Sequence, residues 1–134
     1  MYYLPHRDGI CTTSKEFLAS YAPEEMDKVI EAECTIKKTS SFLKGIPITN
    51  GTNRIILKID VEGAEYDIIE DLINENRSFL DKVDIIIGEA HMGIEPLEHK
   101  LNPLGFKEIS TKNFNKNKNT QDFLFVKPQL TSTL

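Results

Sequence analysis

The sequence predicts an α/β domain in which a parallel strand unit is followed by an antiparallel strand pair. Two apolar runs, residues 55–59 and 83–87, flank a stretch whose apolar residues have helical spacing. Such runs are typical of strands covered on both faces of a parallel sheet, and a helix is the usual connection between two such strands. Residues 106–110 and 121–127 are two further strand-like segments, separated by a stretch rich in lysine and asparagine.

The N-terminal part, residues 1–28, is predicted to be irregular apart from one short helix. That helix spans residues 15–21, because Thr13 or Ser14 can cap its start and Pro23 ends it. The main domain is predicted to span 29–128, followed by a tail.

A strand is predicted over residues 29–37, which contain β-branched and small apolar side chains. A helical turn follows over residues 39–43 and ends at Gly45. Residues 129–134 form the predicted C-terminal tail.

The central unit is predicted to run from a strand over residues 54–60, through a turn at Gly63, to a helix over 64–76 and a strand over 83–89. The helix has one apolar stripe, formed by Ala64, Ile68, Ile69, Leu72 and Ile73. Connections of this kind are right-handed in nearly all proteins.

The C-terminal part begins with a helix that has Pro96 in its first turn and ends before Gly105. One face of this helix carries Ile94, Leu97 and Leu101. The last two strands, residues 106–110 and 121–127, are expected to pair antiparallel, because the loop over residues 112–119 contains no crossover helix.

Composition excludes several classes of protein. The chain has 134 residues, enough for one core, and its net charge of -5 disfavours binding to the phosphates of a nucleic acid. Nothing is long and apolar enough to span a bilayer, and the first residues do not resemble a secretion signal, so a cytoplasmic location is expected. Glycine-rich phosphate loops, zinc-type Cys and His spacing and serine nucleophile elbows are all absent from the sequence.

Polar side chains follow both strands of the central unit. Asp60, Glu62 and Glu65 come after the first strand, and Glu89 and His91 come at the end of the next. Open α/β sheets bind ligands beyond the carboxyl ends of their strands, so these side chains are expected to lie within reach of one another.

Three interpretations of these residues stay open. A carboxylate or His91 could take a proton from a substrate hydroxyl, with crowding raising the pKa of one carboxylate. Asp60, Glu62 or Glu89 could instead hold a divalent cation. Alternatively, Glu62 and Glu65 only stabilise the start of the helix and His91 is an ordinary loop residue.

Residues 57–65 read Leu-Lys-Ile-Asp-Val-Glu-Gly-Ala-Glu. This segment closely resembles the signature of the FkbM family of methyltransferases, in which Lys-Ile-Asp-Val-Glu-Gly-Ala-Glu precedes an amphipathic helix. Residues 83–89 are similar to the next family strand, which ends in a glutamate, here Glu89. Residues 106–127 are similar to the terminal strand pair of the family.

The resemblance implies a Rossmann-like fold that transfers a methyl group from S-adenosylmethionine to a small-molecule substrate, usually to an oxygen of a sugar or natural product. It places Asp60 at the edge of the cofactor and substrate cleft as a cofactor-binding and catalytic residue. With Asp60, the other candidate catalytic residues are Glu62, Glu89 and His91. The resemblance assigns no metal ligand.

The family builds its cofactor site mainly from two earlier strands that carry a glycine-bearing loop. No such strands precede the start of this sequence, so we expect an N-terminally truncated sheet with an unpaired parallel edge strand. The isolated chain is then expected to be inactive, and the missing half would come from another chain or from a homodimer. Two alternatives are a non-enzymatic remnant that acts as an interaction module by strand addition and a metal-assisted hydrolase.

Overall fold

The structure is a computed structural model that describes residues 1–7, 11–47, 54–113 and 120–128. It confirms the predicted α/β class, with a three-stranded and a four-stranded sheet. Its strands and α-helices are, in chain order, β1 (Tyr2–Tyr3), β2 (Cys11–Thr12), α1 (Lys15–Tyr21), β3 (Ile30–Glu31), α2 (Thr39–Leu43), β4 (Ile56–Ile59), α3 (Glu65–Glu75), α4 (Arg77–Leu80), β5 (Ile85–Ala90), α5 (Glu95–Leu101), β6 (Lys107–Asn113) and β7 (Gln121–Val126). Short 3-10 helices span Pro23–Lys28 and Asn102–Leu104.

The smaller sheet is formed by the N-terminal segment, which the sequence predicted to be irregular. Its strand order is β2-β1-β3, and all pairs are antiparallel. Leu4, Leu18 and Ala22 form the small core beneath it. Helix α1 has the predicted bounds, and the side chain of Ser14 accepts a hydrogen bond from the backbone N–H of Phe17 at its start.

The strand predicted over residues 29–37 is wrong in length and in partner. Only Ile30 and Glu31 form a strand, and they pair with β1 rather than joining the larger sheet. The side chains after Glu31 are mostly exposed, and Ile36 is 68% exposed. The side chains of residues 32–37 favour strands but form none, because among the described residues they have no neighbouring strand to pair with.

The larger sheet has the order β4-β5-β7-β6. Strands β4 and β5 are parallel and are connected through α3, which confirms the predicted strand–helix–strand unit. Strands β6 and β7 form the predicted antiparallel pair, and β6 extends to Asn113, three residues beyond its predicted end. The remainder of the predicted lysine and asparagine loop, residues 114–119, and the predicted tail lie outside the described residues.

Gly88 allows the two parallel strands to come together. A Cβ atom at this position would collide with the carbonyl oxygen of Ile59 on β4 and press against the ring of Phe123 on β7. A glycine is therefore required where β5 passes between its two neighbours.

Helices α3 and α5 pack on one face of the larger sheet. The core on that face includes Ile69, Leu72, Ile86, Leu97, Phe106 and Phe125, all with no exposed surface. The opposite face is open, since Ile56 is 60% and Ile87 is 42% exposed. The prediction that both strands are covered on both faces is therefore wrong for the part of the chain that the structure describes.

Strand β4 lies at the edge of this sheet, with β5 on one side and no described strand on the other. The edge that faces away from β5 is thus available for pairing. Among the residues that the structure describes, no helix combines the length and apolar content needed to cross a membrane.

Candidate functional site

An acidic turn links β4 to α3 and carries two of the candidate residues, Asp60 and Glu62. Glu62 has φ 51° and Gly63 has φ 97°, so the backbone is left-handed at both positions. Glu62 is the one non-glycine residue with positive φ in the described part of the chain. The Thr12 hydroxyl donates a hydrogen bond of 2.6 Å to the carbonyl oxygen of Glu62, which fixes this turn against the N-terminal segment.

Glu65 lies beneath the turn and is fully buried. Its Oε1 accepts hydrogen bonds of 3.2 Å from the backbone N–H groups of Val61 and Gly63. The same oxygen lies 2.8 Å from Nδ1 of His91. Glu65 therefore connects the turn after β4 to the residue after β5. This role goes beyond the interpretation in which Glu65 only stabilises the start of the helix.

His91 follows β5 and has only 4% of its side chain exposed. Its Nδ1 faces Glu65, while its Nε2 lies 3.4 Å from Oε2 of Glu62 and 3.5 Å from Oε2 of Glu89. The edge of the imidazole ring meets Phe17 of α1, with ring centroids 5.5 Å apart and an interplanar angle of 86°. The interpretation of His91 as an ordinary loop residue does not fit this burial and these contacts.

The charges of the cluster change its protonation. Burial alone would lower the pKa of His91, but the hydrogen bond with Glu65 and the nearby carboxylates of Glu62 and Glu89 raise it above its usual value. Burial opposes ionisation of Glu65, yet its hydrogen bonds to His91 and to backbone N–H groups lower its pKa. Burial and the neighbouring carboxylates raise the pKa of Glu62, although His91 opposes that shift.

Asp60 completes the group and is the most exposed candidate on the turn. One ligand atom from each of Asp60, Glu62 and His91 lies within 4.8 Å of the other two. With Glu89 next to His91, all four sequence-predicted residues meet at the carboxyl ends of β4 and β5. The Nζ atom of Lys58 lies 3.4 Å from Oδ2 of Asp60, on a mostly exposed side chain.

Two cavities meet at Asp60. The first has a volume of about 740 Å³ and is lined by residues that include Thr12, Lys37 and Glu62. The second, of about 440 Å³, lies on the open face of the sheet and includes Glu89. Asp60 lines both cavities and lies at their boundary.

Three supporting residues were not found by sequence reasoning. Thr12 and Phe17 come from the N-terminal segment, and no local pattern indicates that they reach a turn about 50 residues away. Tyr66 is buried, and its hydroxyl donates 2.7 Å to Gly93 O and accepts 2.9 Å from Met92 N. Burial raises the pKa of Tyr66 to about 12. Tyr66 directly follows the signature segment, which ends at Glu65, and that position could have indicated it as a site residue. The apolar stripe of the helix did not include it.

The fold and the site together define an α/β domain with a carboxylate and imidazole cluster beyond two adjacent parallel strands. A sequence model of the methyltransferase FkbM domain matches residues 5–124. The chain belongs to this family, which confirms the resemblance seen in residues 57–65.

One curated relative is similar to part of the chain. Over 81 residues it is 30% identical to "Methyltransferase 1" of Beauveria bassiana (strain ARSEF 2860). The aligned part covers 60% of this chain and 32% of the relative, so the match spans about a third of that protein. No solved structure matched the chain.

Proposed function

We propose that this chain forms the acceptor side of an S-adenosylmethionine-dependent methyl transfer to a hydroxyl of a small molecule, such as a sugar or a natural product, in the cytoplasm. The observation that carries this proposal is the meeting of Asp60, Glu62, Glu89 and His91 where two cavities adjoin. Ligands of open α/β sheets bind at this edge.

The first cavity suits the cofactor in size and charge. Its volume of about 740 Å³ lies in the range of small-molecule sites. S-adenosylmethionine supplies a methyl group on a positively charged sulfur, and it also carries a ribose diol and an amino-acid end. Asp60 would accept hydrogen bonds from hydroxyl or ammonium groups, while Lys37 in the same cavity could pair with the carboxylate.

The second cavity would hold the acceptor. As the acceptor oxygen bonds to the methyl carbon, the bond from that carbon to the cofactor sulfur would break, leaving a neutral thioether, and the acceptor hydroxyl would lose its proton to a nearby base. We assign that role to Glu89, which lines this cavity and has 37% of its side chain exposed. His91 would keep Glu89 in place, with the imidazole fixed by Glu65.

Further strands beside β4 are part of the proposal. The free edge of β4 and the open face around Ile56 and Ile87 would be covered by strands of a partner chain, which would carry the glycine-bearing cofactor loop, or by a second copy of this chain, which would cover the edge without that loop. The purified 134-residue chain is then expected to show no calorimetric signal with S-adenosylmethionine. Binding in the micromolar range would contradict the need for those strands.

Asp60→Asn tests the function. The assembled enzyme, purified by a tag on this chain from cells that express it, is assayed for transfer of a tritiated methyl group. We expect Asp60→Asn to lower turnover at least about tenfold, because the neutral amide cannot replace the carboxylate at the junction of the cavities.

The melting temperature should change by less than about 3 °C, since Asp60 is exposed. Asp27→Asn, the same change at an exposed residue of the N-terminal segment, is the control and should leave both quantities unaltered. Parallel losses of turnover and melting temperature in Asp60→Asn would instead indicate a structural residue.

Two alternatives keep support from particular observations. The open face and the edge of β4 also fit a non-enzymatic interaction module, which would bind a partner without any methyl transfer by the assembly. The geometry of Asp60, Glu62 and His91, with Glu89 beside them, also fits a metal-assisted hydrolase. Hydrolysis of ester or phosphate substrates only when a divalent cation is added would favour that class.

A further inference from the structure

The orientation of His91 leaves one ring nitrogen facing the carboxylates. Its Nδ1–H can donate to Glu65, which lies 2.8 Å away, and this fixes the ring and the tautomer. Nε2 lies opposite the oxygens of Glu62 and Glu89, and a cation bound between them would take the place of the Nε2 proton. A carboxylate that holds the far nitrogen of a histidine is the arrangement that proteins use to prepare imidazole as a metal ligand.

The charge around this imidazole is unbalanced. Asp60, Glu62, Glu65 and Glu89 supply four carboxylates within one group of contacts, and a protonated His91 together with Lys58 beside Asp60 could neutralise only two of them. Glu65 is fully buried, and its Oε2 has no hydrogen-bond partner in the described part of the chain. The cluster therefore keeps a net negative charge around one buried carboxylate oxygen without a described partner, and it has a capacity for a further cation.

The separations suit a single ion. Two ligands bound at about 2.1 Å in a tetrahedral site lie about 3.4 Å apart. Nε2 of His91 is 3.4 Å from Oε2 of Glu62, and the ligand atoms of Asp60, Glu62 and His91 all lie within 4.8 Å of one another. Small rotations of the exposed Asp60 side chain would bring the third ligand to the same distance.

We propose that Asp60, Glu62 and His91 bind a divalent transition-metal cation such as Mn²⁺ or Zn²⁺, with Glu65 as the positioning residue for His91. The imidazole ligand favours these ions over Mg²⁺ and Ca²⁺, which prefer oxygen ligands alone. The role of the ion rests on the proposed function: at the boundary of the two cavities it would bind the acceptor oxygen and ease loss of its proton to Glu89.

Calorimetric titration of the purified full chain, stripped with a chelator, tests the site with MnCl₂ and ZnCl₂. We expect one ion per chain with a dissociation constant below about 100 μM, and binding of Mg²⁺ at least about tenfold weaker. Asp60→Asn and Glu62→Gln should each weaken binding of Mn²⁺ at least about tenfold.

Asp67→Asn is the matched control, because Asp67 lines the same cavity but lies outside the three-residue group. It should change the dissociation constant less than about twofold, the size of a long-range charge effect in water. The proposed site would be wrong if Asp67→Asn weakened binding as much as Asp60→Asn does. It would also be wrong if neither ion bound with a dissociation constant below about 1 mM.

Resonances of the imidazole nitrogens give a readout that does not depend on variants. Addition of Zn²⁺ should shift Nε2 of His91 and leave Nδ1 in its hydrogen bond with Glu65. A shift confined to His6 or His99 would place the ion elsewhere and contradict the proposal. None of these measurements uses S-adenosylmethionine, so loss of methyl transfer and loss of metal binding can be told apart.

Discussion

Glu62 has a backbone conformation that favours glycine, but the proposed site needs its carboxylate. A left-handed backbone costs an ordinary residue roughly 1–2 kcal/mol, which glycine largely avoids. The neighbouring Gly63 also has positive φ, so the turn needs two such positions, and only one is occupied by glycine. The strain is held in place by the hydrogen bond from Thr12 to the carbonyl oxygen of Glu62.

Replacing Glu62 with glycine should therefore stabilise the fold while removing the site. In the presence of chelator, we expect Glu62→Gly to raise the free energy of unfolding by up to about 1 kcal/mol, because strain and a half-buried charge both disappear. Urea unfolding measures this change. The same substitution at Glu16, inside α1, is the control and should cost about 1 kcal/mol. A large loss of stability in Glu62→Gly would mean that its side chain holds the turn together.

At this scale, the sequence predicted that the candidate residues would lie close together but not how each one is held. Asp60, Glu62, Glu89 and His91 meet because the carboxyl ends of adjacent parallel strands meet, which a strand pattern reveals. The burial of Glu65 and its contact with His91 depend on the exact path of the turn. The contact of Phe17 with His91 depends on how the N-terminal segment packs, and periodicity carries no information about that.

At the scale of elements, α2 is attached to α3 through one carboxylate. Asp71 on α3 accepts hydrogen bonds from the backbone N–H of Ser40 at 2.7 Å and from its hydroxyl at 3.1 Å. Helix α2 has no side-chain cap of its own, so Asp71 takes that part from a neighbouring helix. These hydrogen bonds, with Lys38 and Lys44 nearby, lower the pKa of Asp71 below its usual value of 3.8.

This attachment should depend on pH in a defined direction. Because the folded pKa of Asp71 is lowered, its stabilisation is present above the usual value and is lost as the pH falls through the folded value. Asp71→Asn should reduce the free energy of unfolding at about pH 7. The difference in this free energy between the variant and the wild type should become smaller toward about pH 3. Chemical unfolding across this range measures it, with Asp27→Asn as a control that should show no such trend. A constant difference at every pH would contradict the assignment.

Secondary structure was predictable where burial and local preference agree. The central strand–helix–strand unit was predicted because both the apolar runs and the helical stripe face the same core. The strand expected over residues 29–37 failed because strand preference alone cannot supply a pairing partner. Strands β1 and β2 are only two residues long, too short for any periodic pattern to indicate.

At the scale of the whole molecule, the open face of the larger sheet was not predictable from its strands. An apolar run such as residues 55–59 predicts a strand that is covered on both faces, wherever the covering comes from. The described helices α3, α4 and α5 supply buried residues to a core on one face of this sheet, whereas Ile56 and Ile87 are exposed on the other. The sequence pattern therefore predicts a second covering layer that the described residues do not provide.

This face and the free edge of β4 should cause association. We expect the sedimentation coefficient of the purified chain to rise with concentration, since exposed apolar strands at a sheet edge pair with one another or with other strands. Ile56→Lys should weaken this association at least about tenfold, because a charged side chain disfavours pairing at an edge. Ile46→Lys, at an exposed apolar residue outside the sheet, is the control and should leave association unchanged. A wild-type chain that remains monomeric at every concentration would show that this face needs a different occupant, and would remove the homodimer from the proposed assembly.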